Sequence, residues 1–244
     1  MPALLMNIKI DSLEKLGLFR VTLADLVGLF DECHIKIRGA LSDECVTHAK
    51  NLLPDGTQFY QELQQSDWVA ATFEMLENVA SRSVFLYLED HKLVADQQQF
   101  GQVLQEFDDC QLDYLCYSFF KAVQLDERNL LPLNPRQHNA IVEFSLNEKN
   151  RRLIGKISPR YCIYSLLSIS SVEYFRSLLQ LENKKYKLYF PKLTRLIMRL
   201  FPYPGYRKVF DRINNSLSFL GTRFCIYPNE SPLNMEKNWY ENFP

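Results

Sequence analysis

Glu89, Asp90 and His91 are three consecutive side chains able to hold or contact a cation, and they follow an uncharged run, Val84-Phe-Leu-Tyr-Leu. Carboxylate oxygens are the preferred ligands of hard divalent cations. The β-branched and aromatic run predicts a strand covered on both faces of an α/β sheet. In such sheets ligands bind beyond the carboxyl ends of the strands, so this position suits a diphosphate met through Mn²⁺ or Mg²⁺. Asp90 is the preferred metal ligand and Glu89 the second candidate; as neighbours of Asp90 in extended chain, Glu89 and His91 lie to opposite sides of it, so at most one of them shares its ligand. His91 is a candidate donor to a phosphate or sugar hydroxyl. The plainer reading of these residues is a strand that ends in solvated charges.

The elements needed to position this triplet are legible around it. Residues 67–80 place Val69, Phe73, Leu76 and Val79 or Ala80 on one helical stripe, with Asp67 as the N-cap. Upstream, Phe19-Arg-Val-Thr-Leu predicts a first strand, Leu23 to Phe30 a short helix, and His34 to Gly39 a second strand. Leu41 to Leu53 predicts a helix closed by the turn Pro54-Asp-Gly. Downstream come a helix at Gln97 to Phe107 and an aromatic strand at Leu112 to Phe120. Beyond the loop Leu131-Pro-Leu-Asn-Pro, His138 to Leu146 predicts a strand. Ile163 to Ile169 is an apolar run before a helix at Val172 to Leu181, capped by Ser170 or Ser171. Alternating strands and helices imply an α/β, doubly wound, mostly parallel sheet flanked by helices.

The chain has 244 residues, 47% hydrophobic, enough for a sizeable core in one domain. Its net charge of −1 conceals an asymmetry: residues 1–150 hold 12 Lys/Arg and 23 Asp/Glu, and residues 151–244 hold 16 and 6. The basic C-terminal part therefore suits an anionic partner. In Pro191-Lys-Leu-Thr-Arg-Leu-Ile-Met-Arg-Leu-Phe-Pro, Leu193, Leu196, Ile197 and Leu200 share one helical face while Lys192, Arg195 and Arg199 occupy another. That pattern fits a helix lying on an anionic membrane surface, and a surface helix packed on its own domain, the commoner case, carries it too. Aromatics interleave with lysines in residues 184–192, but no nucleic-acid module accompanies them, so nucleic acid is not an expected partner.

Six cysteines contain no Cys-x-x-Cys pair and read as reduced thiols. Cys33, His34, Cys45 and His48 match no standard zinc spacing. The N-terminal run is too short and lacks the basic region of a signal peptide, and no stretch reaches the roughly 18 apolar residues of a spanning helix. The expected location is cytoplasmic, possible attachment to the inner face of a membrane included. No Gly-x-Gly-x-x-Gly or Walker loop occurs among the eight glycines.

The helix of residues 67–77, followed by Val84-Phe-Leu-Tyr-Leu-Glu-Asp-His, resembles the nucleotide-sugar half of a compact GT-A glycosyltransferase. There a hydrophobic strand ends in a short acidic motif, often Asp-x-Asp, that binds a cation bridging the donor diphosphate. Glu-Asp-His replaces that motif here. The resemblance covers residues 15–125 as a pattern of organisation. It implies one GT-A-like domain over 1–244, with residues 1–125 binding the nucleotide-sugar and 126–244 forming the acceptor-binding and more helical basic part.

The resemblance further implies a nucleotide pocket at Thr22, Arg38, Asp67 and Thr72, beside Glu89 and His91. Arg38 would offer its guanidinium to phosphate and Asp67 would accept from a base N–H. Asp67 as a helix cap, Arg38 as a solvated charge and Thr72 as a core-edge residue are the structural alternatives. Catalysis would need a carboxylate base near the acceptor hydroxyl. Glu143, Glu173 and Glu230 are candidates, and Glu230, beyond Phe224-Cys-Ile-Tyr, is preferred, with Asp90 the other catalytic residue. The expected activity is hexosyl transfer from a nucleotide-sugar to a saccharide or lipid-linked acceptor in polysaccharide or glycan biosynthesis. An inactive α/β binding protein that keeps the fold is the alternative.

Overall fold

The computed structural model describes residues 1–60, 68–89, 92–93, 97–116, 134–146, 149, 168–177, 179, 222–226 and 235–236. The first strand, β1, is Ala3–Lys9, with every residue but Lys9 buried. It is followed by α1 (Leu13–Ala24), β2 (Cys33–Arg38), α2 (Ser42–Leu52), β3 (Gln58–Phe59), α3 (Trp68–Glu77) and β4 (Ser83–Tyr87). Then come β5 (Lys92–Leu93), α4 (Gln97–Asp109), β6 (Tyr114–Cys116), β7 (Arg136–Gln137) and β8 (Val142–Leu146). The last elements are β9 (Ser168–Ser171), a helix over 172–177, β10 (Thr222–Ile226) and β11 (Met235–Glu236).

Nine strands form one sheet in the order β3-β2-β1-β4-β9-β6-β10-β8-β7, and β11 pairs with β5 separately. β1 runs parallel to β2 and β4, β2 to β3, and β6 to β10, while β9 and β8 run against their neighbours. Alternation along β1 divides the two faces. Leu4, Met6 and Ile8 join Phe19, Leu23, Cys45, Phe85, Tyr87 and Phe100 in one buried cluster. α1, α2 and α4 therefore cover that face. Asn7 points the other way, to α3, where its side chain bonds Thr72.

Residues 19–23 are not the first strand. They lie inside α1, because Leu16, Phe19 and Leu23 recur at helical spacing and bury against the sheet. Ser12 caps this helix, its Oγ accepting from the Lys15 amide at 3.3 Å. The helix expected at residues 23–30 is absent as well: α1 stops at Ala24, and Gly28 adopts φ +79° in the turn that follows. The other expected elements through β4 are present, although of the expected stripe α3 buries Leu76, together with Ala71, Thr72 and Met75, while Val69 and Phe73 are only partly buried. Ser171 caps the helix over 172–177, accepting from the Tyr174 amide. The amphipathic segment at residues 191–202 lies outside the described residues. Among those described, no helix is long and apolar enough to cross a membrane.

Candidate active site at the carboxyl edge of the sheet

β1, β2 and β4 end together, with Lys9 in register with Arg38 and Met6 with Tyr87. The loop leaving β1 is laced to the end of β2: the Ile10 amide donates to Arg38 O at 2.7 Å, and the Leu41 amide to Ile10 O at 3.3 Å. Gly39 makes this crossing possible. Its φ is +108°, and a Cβ there would lie 2.2 Å from Ile10 O.

Four charges collect above this floor. Lys15 Nζ donates to Lys9 O at 3.3 Å and lies 3.5 Å from Glu89 Oε1 and 3.9 Å from Asp11 Oδ1. Lys9 Nζ reaches Asp11 Oδ2 at 3.3 Å. The Lys9 hydrogen bond, ahead of the other Lys9 and Lys15 effects, holds the exposed Asp11 carboxyl below its ordinary range. Arg38 is half-buried, and its Nε has no hydrogen-bond partner. Lysines and an arginine thus stand beside an acidic strand end, a mixture suited to a phosphate group and its counter-ion.

A polar network lies behind this edge on the α3 face. Trp68 Nε1 donates to Asn7 O at 2.9 Å, Asn7 Nδ2 to Thr72 Oγ1 at 2.8 Å, and Thr72 Oγ1 to Trp68 O at 2.7 Å. These bonds fix the amide orientation and leave Asn7 Oδ1, on a side chain in a residue only 3% exposed, without a partner. Lys36, in register with Asn7, is buried beside it.

The structure brings Arg38 and Glu89 to one edge and places Thr72 behind it. Thr22 is elsewhere: it sits inside α1, its hydroxyl donating to Leu18 O at 2.9 Å and bonded to Tyr87 OH within the core. Its placement at a strand end is therefore corrected. Asp67, Asp90, His91 and Glu230 lie outside the described residues. Of the alternative bases, Glu143 is tied to His138 at 2.8 Å, and Glu173 is exposed on the helix over 172–177, lining an open cavity of about 490 Å³ with Arg82 and Arg176. Lys9, Asp11, Lys15 and Asn7 were not expected from the sequence. Asn7-Ile-Lys-Ile-Asp-Ser carries the signal that could have found them, a strand run into charges and a helix cap.

A divalent cation fits this donor set in part. Glu89 and Asp11 flank an ammonium group, so the position attracts positive charge, and Glu89 would exchange Lys15 for a metal. Among the described residues no group of three His, Cys, Asp or Glu side chains could hold one alone.

No protein-family model and no curated protein matches the sequence. Among solved structures, the chain is similar to residues 1–349 of S. aureus TarS, with a TM-score of 0.50 at 13% identity, over 96% of this chain and 59% of that one. The chain therefore spans less than two thirds of that structure. A 4-diphosphocytidyl-2C-methyl-D-erythritol synthase from Anaerococcus prevotii gives 0.45 at 10% identity, over 99% and 94%. A CMP:2-keto-3-deoxy-manno-octonic acid synthetase complexed with CTP gives 0.43 at 12%, over 93% and 89%. The fold is α/β and GT-A-like.

Proposed function

We propose that this chain is a glycosyltransferase that moves a hexosyl group from a nucleotide-sugar to a saccharide or lipid-linked acceptor in glycan or polysaccharide assembly. The observation that carries the reading is the Lys15–Glu89 pair at the carboxyl edge of β1, β2 and β4, where Lys9 pairs with Asp11 and stands in register with Arg38. A diphosphate needs cations at such an edge, and a leaving diphosphate needs them most as negative charge develops on it.

In this reading Arg38 and Lys9 hold phosphate oxygens, and Asp90 with Glu89 holds a divalent cation. Bound there, the cation would neutralise the departing diphosphate. Lys15, released from Glu89, turns to the phosphates. Asn7 Oδ1 accepts from the donor, and Asp67 from the base. Glu230 takes the proton of the acceptor hydroxyl as its oxygen bonds the anomeric carbon and the bond to phosphate breaks. The basic segment 191–202 is proposed to bring the enzyme to an anionic membrane surface carrying its acceptor.

Incubation with UDP- and GDP-hexoses and Mn²⁺ tests the activity. Release of the nucleoside diphosphate, lost in Asp90→Asn, is the expected result. Binding of nucleotide without any hydrolysis or transfer would instead make the chain an inactive binding protein.

A further inference from the structure

Cys110 follows the last residue of α4, where Gln111 turns the chain with φ +53°. Its Sγ lies 3.3 Å from His138 Nδ1, and His138 Nε2 lies 2.8 Å from Glu143 Oε2. The imidazole and carboxylate side chains are 11% and 10% exposed, whereas Cys110 is only partly covered. A carboxylate can only accept, so Nε2 carries the proton and Nδ1 faces the thiol as an acceptor. That is the order of groups that activates a nucleophile: a base beside it, and an orienting carboxylate behind the base.

The ring is held by more than Glu143. Its turn, between β7 and β8, is pinned to α4 by Glu106, which accepts from the amides of Asn139, Ala140 and Ile141 at 2.8, 2.6 and 3.1 Å. The His138 amide donates to Ile141 O at 2.9 Å. These amides are spent on Glu106, so they offer no oxyanion hole and acyl transfer is not the chemistry favoured.

Among the described residues, the other charged groups on the elements that carry the site are Glu106, Asp108 and Asp109 on α4, Asp113 before β6, and Arg136, which is in register with Glu143. Asp108 is already paired with the Met1 amine at 3.3 Å. Cys33 and Cys45 differ in kind. Both are buried, and burial pushes each thiol up to about 11.

We propose that Cys110, His138 and Glu143 form a reactive-thiol site for soft electrophiles, specifically the disulfide of an oxidised low-molecular-weight thiol. Cys110 sulfur bonds one sulfur of the disulfide and the S–S bond breaks. The thiol proton passes to His138 Nδ1 and then to the departing thiolate, giving a mixed disulfide and one free thiol. No further oxidant is required.

The test is reaction of the whole protein with oxidised glutathione at neutral pH, followed by peptide mass spectrometry. Cys110 should be labelled well ahead of Cys33 and Cys45. His138→Gln and Glu143→Gln should each slow it at least about tenfold, below the ~100-fold usual for a positioned general base, with circular dichroism unchanged. Labelling of Cys110 at the wild-type rate in folded His138→Gln would overturn the site. If both variants unfold, the wild-type rate decides: Cys110 reacting no faster than the same cysteine in urea-unfolded protein contradicts the proposal.

Discussion

Replacing Thr22 with valine removes a hydroxyl that donates to Leu18 O and meets Tyr87 OH inside the core. The Tyr87 hydroxyl loses that partner, and its contact to Phe19 O is long, 3.5 Å. Stability should fall by about 1 kcal/mol, the net value of a hydrogen bond lost from the core, while nucleotide binding stays unchanged. Urea unfolding measures the first and calorimetry the second. Full stability with weakened binding would return Thr22 to the nucleotide site. Glu32 is a second residue with a defined expectation. Burial pushes its carboxyl up, but hydrogen bonds from Ser81, His34 and the Ala80 amide outweigh that and lower it from 4.5 to about 2. A lowered carboxyl stabilises the fold above its ordinary range and loses that contribution as pH falls from about 4.5 towards 2. Glu32→Gln should therefore cost about 1–2 kcal/mol at neutral pH, discounted for partial exposure, and thermal unfolding should show the gap closing through that acid window.

Gly39 joins β2 to α2 at the one point where the loop from β1 crosses it. Gly39→Ala should cost about 3 kcal/mol or more, because both the positive φ and the 2.2 Å approach to Ile10 O oppose a Cβ. Gly17, inside α1 with nothing within 4 Å of an added Cβ, gives the opposite sign: Gly17→Ala should stabilise by about 0.5–1 kcal/mol. Urea unfolding of the two variants measures both signs. The same elements show what the sequence revealed. β2, α2, α3, β4 and α4 were legible because each carries its own period and turn signal, such as Pro54-Asp-Gly or the uncharged Val84–Leu88 run. β1 was missed because Ala-Leu-Leu-Met is apolar without alternation, a pattern shared by strands and buried helices. Once β1 was missing, Phe19-Arg-Val-Thr-Leu read as its replacement, since β-branched residues favour strands until tertiary burial overrides them.

Across the whole molecule, the order of the strands decides which charges meet. With β1 central between β2 and β4, Lys9, Arg38 and Glu89 converge although they lie 80 residues apart in sequence at the extremes. Arg38 and Glu89 were legible as strand-end charges. Lys9, Asp11 and Lys15 were not, because their roles depend on the parallel register and on Ser12 starting α1 beside them. Binding of a nucleoside diphosphate at this edge is measured by titration calorimetry of UDP and GDP with Mn²⁺ on wild type, Arg38→Gln and Asp90→Asn. The expected result is binding to wild type that weakens at least about tenfold in each variant, the value of one charge-assisted contact. Equal affinity in all three proteins, or no binding to wild type, would contradict it.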